Sequence, residues 1–293
     1  MTRSGFVALA GRPNAGKSTL VNAIVADKVA IVSDKPQTTR REVRGIVTGD
    51  DWQLVLVDLP GVQRPRDTLT ERMQRQVERA LGDADAALFV LNGEHSVGPG
   101  DRFISRAIER AGVATVTVVN KVDSLDRAGT VHALAAAAEL GLPGEVFPVS
   151  ARKGTGVPAL VEHLVQLLPE GPFMYPPEDH TDMPENVRLA ELVREQVLRR
   201  TRQELPHAVE VEVLELEVRG DGLLMVRAQV WAESDSQKAI LVGSGGSMIK
   251  AIGTAARREI ERMRGERMHL DLQVRVRRGW RRDEGLLDRL GIE

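Results

Sequence analysis

The chain has 293 residues, 42% hydrophobic and 28% charged, as expected for a globular protein of two ordinary domains. It has no cysteine, which excludes disulfide bonds, thiolate metal sites and cysteine nucleophiles. The net charge of −2 argues against a general nucleic-acid binder, and no apolar run approaches the roughly 18–20 residues that span a bilayer. No signal-peptide pattern precedes the first strand-like stretch, so we expect a cytoplasmic protein, and we expect a monomer.

Residues 5–150 alternate short apolar runs with longer amphipathic ones. This alternation predicts an α/β domain whose six-stranded, mainly parallel sheet is covered by helices on both faces. The turn between the second and third predicted strands is too short for a helical crossover, so we expect them to pair antiparallel, with the second at the sheet edge. The predicted strands are Phe6–Ala10, Glu42–Thr48, Gln53–Asp58, Ala86–Leu91, Ala114–Val119 and Val146–Val149, and the predicted helices include Thr70–Leu81, Arg102–Ala111 and Thr130–Glu139.

A segment rich in proline and acidic residues follows, where the alternating pattern stops. Its composition predicts a linker at 171–184 between domains at 1–170 and 185–293. The second domain has the predicted order α-β-β-α-α-β followed by a short helix. Its helices are predicted at Glu185–Arg202, Ser236–Val242, Ser247–Met263 and Glu284–Leu290, and its strands at Val209–Arg219, Leu223–Trp231 and His269–Arg277.

Charge is distributed unevenly in this second domain. The stretch 204–235 has eight acidic and two basic residues, a net charge of −6. The stretch 238–282 has twelve basic and four acidic residues, a net charge of +8. The sequence therefore predicts a strong basic patch beside an acidic one.

A phosphate-binding pattern, G-x-x-x-x-G-K-S, begins at Gly11, between a predicted strand and a predicted helix. The backbone amides of such a loop and the helix N-terminus face phosphate oxygens. Lys17 is placed to reach the β- and γ-phosphates and Ser18 to ligate magnesium, whereas the alternative is an ordinary turn with a chance lysine. The predicted nucleotide-binding residues of this loop are Gly11, Asn14, Ala15, Gly16, Lys17, Ser18 and Thr19.

A second motif closes the phosphate end of the site. The apolar strand Gln53–Asp58 ends in a carboxylate and is followed by Leu59, Pro60 and Gly61. We expect Asp58 to hold magnesium through water and the Gly61 amide to sense the γ-phosphate. A turn aspartate without such a role is the alternative for this motif alone.

Two further motifs predict that the base is guanine. Asn120, Lys121 and Asp123 follow an apolar strand, and the Asp123 carboxylate can accept hydrogen bonds from N1–H and the exocyclic amine of guanine. Adenine has no donors there, and such sites reject the wrong partner by roughly 10⁴-fold. We expect the Lys121 stem to cover the base, Asn120 to tie this loop to the phosphate loop, and Ser150 with the Ala151 amide to complete the pocket.

The stretch from Pro36 to Arg40 is predicted to be a mobile loop beside the edge strand. A threonine there can ligate magnesium only while the γ-phosphate is present, so hydrolysis releases the loop. We choose Thr39, with Thr38 and a loop threonine without a role as alternatives. The predicted magnesium ligands are Ser18, Thr39 and Asp58, and the predicted catalytic residues are Lys17, Thr39 and Gly61.

Val62 stands where Ras-like enzymes place a water-orienting glutamine. Valine cannot orient water, so we expect slow unaided turnover and stimulation by a partner. Gln63 is one residue away and is expected to be exposed. Arg40 and Arg41 could supply positive charge to the transition state, but a solvated loop face is the favoured interpretation.

Gly243, Ser244, Gly245 and Gly246 join two predicted helices in a G-x-x-G pattern, with Ser247 expected to cap the second helix. The pattern alone is usually a helix–helix turn, but the element order and the basic patch favour the clamp of a type II KH domain, in which a nucleic-acid backbone approaches glycines. The predicted RNA-binding residues are Gly243, Ser244, Gly245, Gly246, Lys250, Arg257 and Arg258.

Together these features resemble the Era family of bacterial ribosome-assembly GTPases, in the TrmE-Era-EngA-septin-like class, over nearly the whole chain. The motifs that carry the resemblance are Gly11–Thr19, Pro36–Arg40, Asn120–Asp123, Leu168–Pro172, Glu204–Pro206, Asp235–Lys238 and Gly243–Gly253.

The resemblance implies a Ras-like P-loop GTPase domain with a type II KH domain, using GTP, GDP and Mg²⁺. It implies binding of small-subunit (16S) ribosomal RNA near its 3′ end, assistance in 30S subunit assembly, and peripheral association with the inner face of the cell membrane in some cells. Relatives with an apolar residue at the position of Val62 can also use K⁺, held partly by the residue equivalent to Asn14.

Two other hypotheses stay open from the sequence. In one, the C-terminal domain of a GTPase docks a protein partner or dimerises, and its basic patch faces an acidic partner or anionic lipid. In the other, the nucleotide site is inactive and the chain only binds its partners.

Overall fold

Six strands form the sheet of the N-terminal half in this computed structural model, which describes residues 1–62, 65–203 and 205–292. The strands are β1 (Arg3–Ala10), β2 (Val43–Thr48), β3 (Trp52–Asp58), β4 (Ala86–Asn92), β5 (Ala114–Asn120) and β6 (Val146–Val149). They lie in the order β2-β3-β1-β4-β5-β6, and all neighbouring pairs are parallel except β2 with β3. The predicted antiparallel edge strand is therefore confirmed.

In the described part of the N-terminal half, five helices cover the two faces of this sheet: α1 (Lys17–Val25), α2 (Thr68–Asp83), α3 (Pro99–Ala111), α4 (Arg127–Ala138) and α5 (Val157–Leu167). α1 and α5 bury apolar side chains on one face, and α2, α3 and α4 do so on the other. The loops that follow the parallel strands thus lie together at the carboxyl ends of the strands, where ligands bind in such folds. The predicted elements agree with the observed bounds to within three residues, whereas α5 has no predicted counterpart.

The segment 171–184 lies against the N-terminal half. The buried side chain of Gln53 accepts hydrogen bonds from the amides of Met174 and Tyr175 at 2.7 and 3.0 Å. The amide of Ile46, on the edge strand β2, donates to the carbonyl oxygen of His180 at 2.9 Å. The segment therefore satisfies backbone groups of an edge strand that would otherwise be open to pairing with another chain.

The C-terminal half packs helices on one three-stranded sheet. Its elements are α6 (Glu185–Arg200), β7 (Glu210–Val218), β8 (Leu224–Ala232), α7 (Asp235–Val242), α8 (Ser247–Arg264), β9 (Met268–Val276) and α9 (Glu284–Arg289). The sheet order is β7-β8-β9, with β7 antiparallel and β9 parallel to β8. This is the predicted α-β-β-α-α-β order, and Val193, Val230 and Ile252 are among the fully buried residues of its core.

One hydrophobic cluster joins the two halves. Leu69 and Met73 of α2 pack with Trp280, Leu286 and Leu287 from the end of the chain, and Leu290 and Ile292 complete the cluster. The indole Nε1 of Trp280 donates to the carbonyl oxygen of Ala208 at 2.9 Å, so the buried polar atom is satisfied. The helix that follows the Asp58–Gly61 motif is therefore docked on the C-terminal half.

Among the described residues, no single helix is long and apolar enough to cross a membrane. One pair, Asp235–Val242 with Ser244–Arg264, reaches that length and composition only when the two helices are taken together across a 43° bend.

Candidate functional site

The phosphate loop runs from the end of β1 to the start of α1. Gly16 has φ +93°, and a Cβ atom there would lie 2.3 Å from the side-chain nitrogen of Asn120, so only glycine fits. The buried Nζ of Lys17 donates to the carbonyl oxygens of Gly11 and Arg12, at 3.1 and 3.3 Å. The loop is thus folded round a lysine at the N-terminus of a helix, as phosphate binding requires.

The three predicted magnesium ligands converge beside this loop. Ser18 Oγ donates to Asp58 Oδ2 at 2.6 Å and lies 3.0 Å from Thr39 Oγ1, which donates to the same carboxylate oxygen at 3.3 Å. The second oxygen of Asp58, Oδ1, is buried without a hydrogen-bond partner. A small cluster of hydroxyl and carboxylate oxygens with one unsatisfied acceptor suits Mg²⁺, which prefers oxygen ligands. The donor set therefore fits the predicted ion.

Burial disfavours the charged forms of both ionisable groups at this site. It raises the pKa of Asp58, an effect that the charge of Lys17 partly offsets, and it lowers the pKa of Lys17, which Asp58 partly offsets. Nearby positive charge favours an ionised carboxylate. A divalent cation at these oxygens would therefore stabilise the ionised form of Asp58.

Gly61 lines the same pocket as the phosphate loop. A Cβ atom at this position would lie 2.8 Å from the backbone nitrogen of Pro13, so a larger residue would collide with the loop. The next residue, Val62, is buried in the apolar core beneath α2 and α3. Its side chain cannot orient a water molecule, in agreement with the sequence interpretation, while Gln63 lies outside the described residues.

Asn120 organises the predicted base site. Its side-chain nitrogen donates to the carbonyl oxygen of Ala15 at 2.9 Å, and its oxygen accepts from the amides of Lys121 and Ala151 at 2.8 and 3.0 Å. The predicted tie to the phosphate loop is present. The Ala151 amide is already engaged by Asn120, so its predicted contact with the guanine oxygen would have to share this hydrogen.

Asp123 is held ready to accept hydrogen bonds. Ser150 Oγ donates to Asp123 Oδ1 at 2.7 Å, and this bond lowers the pKa of the carboxyl group, which stays ionised at neutral pH. Lys121 adopts a left-handed backbone conformation, and its Nζ is bonded to Glu94 at 2.9 Å. Glu94, on the turn after β4, thus contacts the lysine that is predicted to cover the base. The sequence motifs do not reveal this residue, because it belongs to none of them.

The loop that contains Thr39 is bound to the C-terminal half. The guanidinium of Arg40 is fully buried, pairs with Glu210 at 2.8 Å, and donates to the carbonyl oxygens of Pro206, His207 and Val209. Arg41 is also buried, between Glu191 and Glu210 at 3.5 and 3.4 Å. The expectation of a solvated loop face is therefore wrong for both arginines, and neither points to the phosphate site.

The charges of this cluster support one another. Burial alone would raise the pKa of Glu210, but the guanidinium groups of Arg194, Arg40 and Arg41 outweigh it and hold the pKa at about 2. Burial lowers the pKa of Arg40 to about 10, which leaves the side chain charged at neutral pH. Charges this deep are retained only when paired.

The glycine loop of the C-terminal half joins α7 to α8. Gly243, Gly245 and Gly246 all have positive φ, and a Cβ atom at Gly245 or Gly246 would meet open space. Lys250, Arg257 and Arg258 are exposed on the helix that follows, as predicted for a backbone clamp. The predicted capping role of Ser247 is wrong, because the N-cap is Gly246 and Ser247 lies in the first helical turn.

Comparisons with known proteins agree with this geometry. A family model described as a 50S ribosome-binding GTPase matches residues 6–121, and a KH domain model matches residues 204–281. The GTPase Era of Mycobacterium tuberculosis is 44% identical over 295 residues, covering 99% of this chain and 98% of that protein. The chain belongs to the Era family. The predicted family and the predicted fold class are both confirmed.

Solved Era structures resemble this chain over its length. A crystal structure of Era in complex with MgGDPNP and nucleotides 1506–1542 of 16S ribosomal RNA has a TM-score of 0.95 and 31% identity, covering 100% of this chain and 99% of its own. A variant of Aquifex aeolicus Era bound to GDP·AlF4⁻ has a TM-score of 0.95 and 30% identity, covering 99% of both. The relative positions of the two halves are thus those of an Era protein.

Asp123→Asn should exchange the base specificity of the site. An amide in place of the carboxylate cannot accept from both N1–H and the exocyclic amine of guanine, but its nitrogen can donate to the carbonyl that xanthine has there. We expect GTP affinity to fall by on the order of 100-fold or more and XTP to be preferred. Titration with fluorescent nucleotides measures both.

The matched control is Asp126→Asn, which keeps an acceptor at the N-cap of α4, where Asp126 accepts from the amide of Gly129. Its nucleotide preference should be that of the original protein. Unchanged preference for GTP in Asp123→Asn would contradict the assignment of the base site.

Glu210→Gln should destabilise the protein, and the loss should depend on pH. The folded-state pKa of Glu210, about 2, lies below its ordinary value of 4.5, so the ionised group stabilises the folded state above pH 4.5 and this stabilisation is lost as the pH falls towards 2. We expect the variant to lose about 3 kcal/mol of unfolding free energy at neutral pH.

Urea unfolding from pH 7 to pH 3 measures this difference. The gap between the two proteins should narrow below pH 4.5. A gap that stayed constant with pH would show that Glu210 does not act through its charge.

Proposed function

We propose that the protein is a GTP-hydrolysing switch that binds small-subunit (16S) ribosomal RNA near its 3′ end and assists assembly of the 30S subunit. The observation that carries the proposal is the convergence of the Ser18, Thr39 and Asp58 oxygen atoms beside Lys17, in a chain that resembles an RNA-bound Era over its full length. GTP, GDP and Mg²⁺ are its cofactors, as in the MgGDPNP complex of that relative.

At the phosphate end, each residue contributes one kind of interaction. Lys17 neutralises charge on the β- and γ-phosphates, and the Gly61 amide donates to the γ-phosphate. Thr39 would ligate magnesium only while the γ-phosphate is bound. Magnesium, held by Ser18, Thr39 and Asp58, would supply further stabilisation of phosphate charge. These contacts position and stabilise rather than form covalent bonds, as suits phosphoryl transfer.

The attacking water lacks a side-chain partner at Val62, because that residue is buried in the apolar core. We propose that unaided turnover is slow and that a bound partner accelerates it. The resemblance to relatives that use potassium adds the proposal of a K⁺ ion at Asn14, whose side-chain nitrogen donates to the carbonyl oxygen of Asp34 at 2.8 Å in the neighbouring loop.

The C-terminal half supplies the RNA clamp in this proposal. Its glycine loop leaves open space for a sugar-phosphate backbone, and the exposed side chains of Lys250, Arg257 and Arg258 carry positive charge along the same helix. Binding through such contacts weakens as salt rises, and it favours single-stranded segments whose bases are accessible.

Lys17→Ala should abolish GTP hydrolysis. Removal of the only lysine within the phosphate loop takes away charge that is needed most in the transition state, so we expect phosphate release to slow by on the order of 100-fold or more. A phosphate-release assay measures the rate, and thermal unfolding checks that the variant is folded. Hydrolysis at the original rate would exclude this site as the catalytic one.

Gly246→Asp should abolish RNA binding and leave GTP binding intact. The new carboxylate would stand where the proposal puts a phosphate, and it would repel the backbone. A fluorescence-anisotropy titration with a single-stranded 16S 3′-end oligonucleotide, repeated over a range of salt concentrations, measures the loss.

Gly265→Asp is the matched control. Gly265 lies at the other end of α8, has φ +71°, and also has open space at its Cβ position, so the two substitutions introduce similar backbone strain. Normal RNA binding by Gly246→Asp, or equal loss in both variants, would contradict the clamp assignment.

A further inference from the structure

Arg194, on the first helix of the C-terminal half, reaches the loop that carries Thr39. Its guanidinium is fully buried, and its Nη2 donates to the carbonyl oxygen of Thr38. Glu191, one turn earlier on α6, accepts from Nε at 3.0 Å and from Nη2 at 2.6 Å. The donor is therefore oriented by a carboxylate on its own helix.

The carbonyl group of Thr38 belongs to the same peptide unit as the amide of Thr39. Because a peptide unit is planar, a hydrogen bond that fixes this oxygen also fixes the direction in which the chain enters Thr39. The β-branched side chain of threonine has few rotamers, so its hydroxyl follows the backbone. In this arrangement Thr39 Oγ1 lies 3.0 Å from Ser18 Oγ and 3.3 Å from Asp58 Oδ2.

The same helix also contacts the beginning of the connection between α1 and β2, which contains this loop. Glu195, next to Arg194, accepts from the amide of Val32 at 3.0 Å and from Nζ of Lys28 at 2.6 Å. Glu259 of α8 accepts from the same lysine nitrogen at 2.8 Å. The α1–β2 connection is thus bound to α6 at Lys28 and Val32 and again at Thr38, and Lys28 is also bound by the helix that follows the glycine loop.

We propose that Arg194 is a positioning residue for the magnesium ligand Thr39, supplied to the nucleotide site by the C-terminal half of the same chain. The proposal rests on the proposed GTPase function and assigns to Arg194 the task of keeping the Thr39 hydroxyl beside Ser18 and Asp58. It acts through the Thr38 carbonyl and touches neither nucleotide nor metal.

The charge balance of the cluster makes this proposal testable. Arg40, Arg41 and Arg194 contribute three positive charges, and Glu191 and Glu210 contribute two negative ones. Removing the charge of Arg194 leaves two buried ion-pairing arginines and two carboxylates. Since no carboxylate is left without a cation, we expect Arg194→Gln to fold.

Arg194→Gln should weaken the GTP state specifically. Thr39 ligates magnesium only while the γ-phosphate is present, so the affinity for a non-hydrolysable GTP analogue should fall about tenfold while the affinity for GDP stays unchanged. The Mg²⁺ concentration that half-saturates analogue binding should rise by a similar factor. Fluorescent-nucleotide titrations over a range of Mg²⁺ concentrations measure both quantities.

Hydrogen exchange gives a readout that does not depend on hydrolysis. In the nucleotide-free variant, amides of residues 37–41 should exchange faster than in the original protein, whereas those of α1 should not change. Arg200→Gln is the matched control, because Arg200 lies on the same helix and donates to Gln196 one turn earlier on that helix. Its nucleotide affinities and exchange rates should equal those of the original protein.

Glu191→Gln tests the same inference if Arg194→Gln does not fold, since it loosens the carboxylate that orients the guanidinium and should give a smaller change in the same direction. Equal weakening of GDP and GTP-analogue binding, or no change in either, would overturn the positioning role. Failure of the original protein to bind GTP would instead reject the proposed function.

Discussion

The buried ion pair between Arg40 and Glu210 is the constraint on which the arrangement of the two halves depends. Both side chains are fully buried and lie 2.8 Å apart, one on the loop that carries Thr39 and the other on β7. Removing one partner of such a pair costs about 3–5 kcal/mol, because the other is left as an unpaired buried charge. The loop cannot leave the C-terminal half unless water or a new partner reaches both charges, so its position and the orientation of that half are coupled.

The helix that follows Gly61, the residue proposed to contact the γ-phosphate, is attached to the same C-terminal half. α2 begins shortly after Gly61, and its Leu69 and Met73 pack against Trp280 and the last residues of the described chain. The phosphate site is therefore connected to the C-terminal half by two contacts, the charged one at Arg40 and the apolar one around Trp280. Coupling of this kind is reciprocal, so a ligand that favours one orientation of the C-terminal half changes nucleotide affinity by the same factor.

The sequence predicts most of the nucleotide site because its chemistry lies in short motifs. Gly11–Thr19, Asp58–Gly61 and Asn120–Asp123 each join a strand to the next element, and parallel strands bring these loops to one edge. The contacts between the halves are different, because Arg194, Glu195 and Glu210 are separated from their partners on the loop by more than 150 residues. Arg40 and Arg41 look like solvated loop residues until the partners appear. On α6 the structure buries Glu191, Arg194 and Glu195 within a stretch, 189–198, in which every residue is buried, which is unusual for charged residues and is not marked by any local sequence motif.

The two kinds of contact between the halves have different physical consequences. Burial of the apolar cluster around Trp280 stabilises the contact between the halves and depends little on direction. This cluster therefore holds the halves together without closely fixing their relative orientation. Buried ion pairs give little net stability, because desolvation offsets their attraction, but they allow few geometries. The five-residue cluster of Arg40, Arg41, Glu191, Arg194 and Glu210 therefore sets the angle at which the C-terminal half meets the loop. The Thr38 carbonyl accepts a hydrogen bond from Arg194 of that cluster. A change in this angle would therefore also move Thr39. If Arg194 has the proposed positioning role, a partner bound to the glycine loop would act on Thr39 through the packed helices α8 and α6, without contacting the nucleotide.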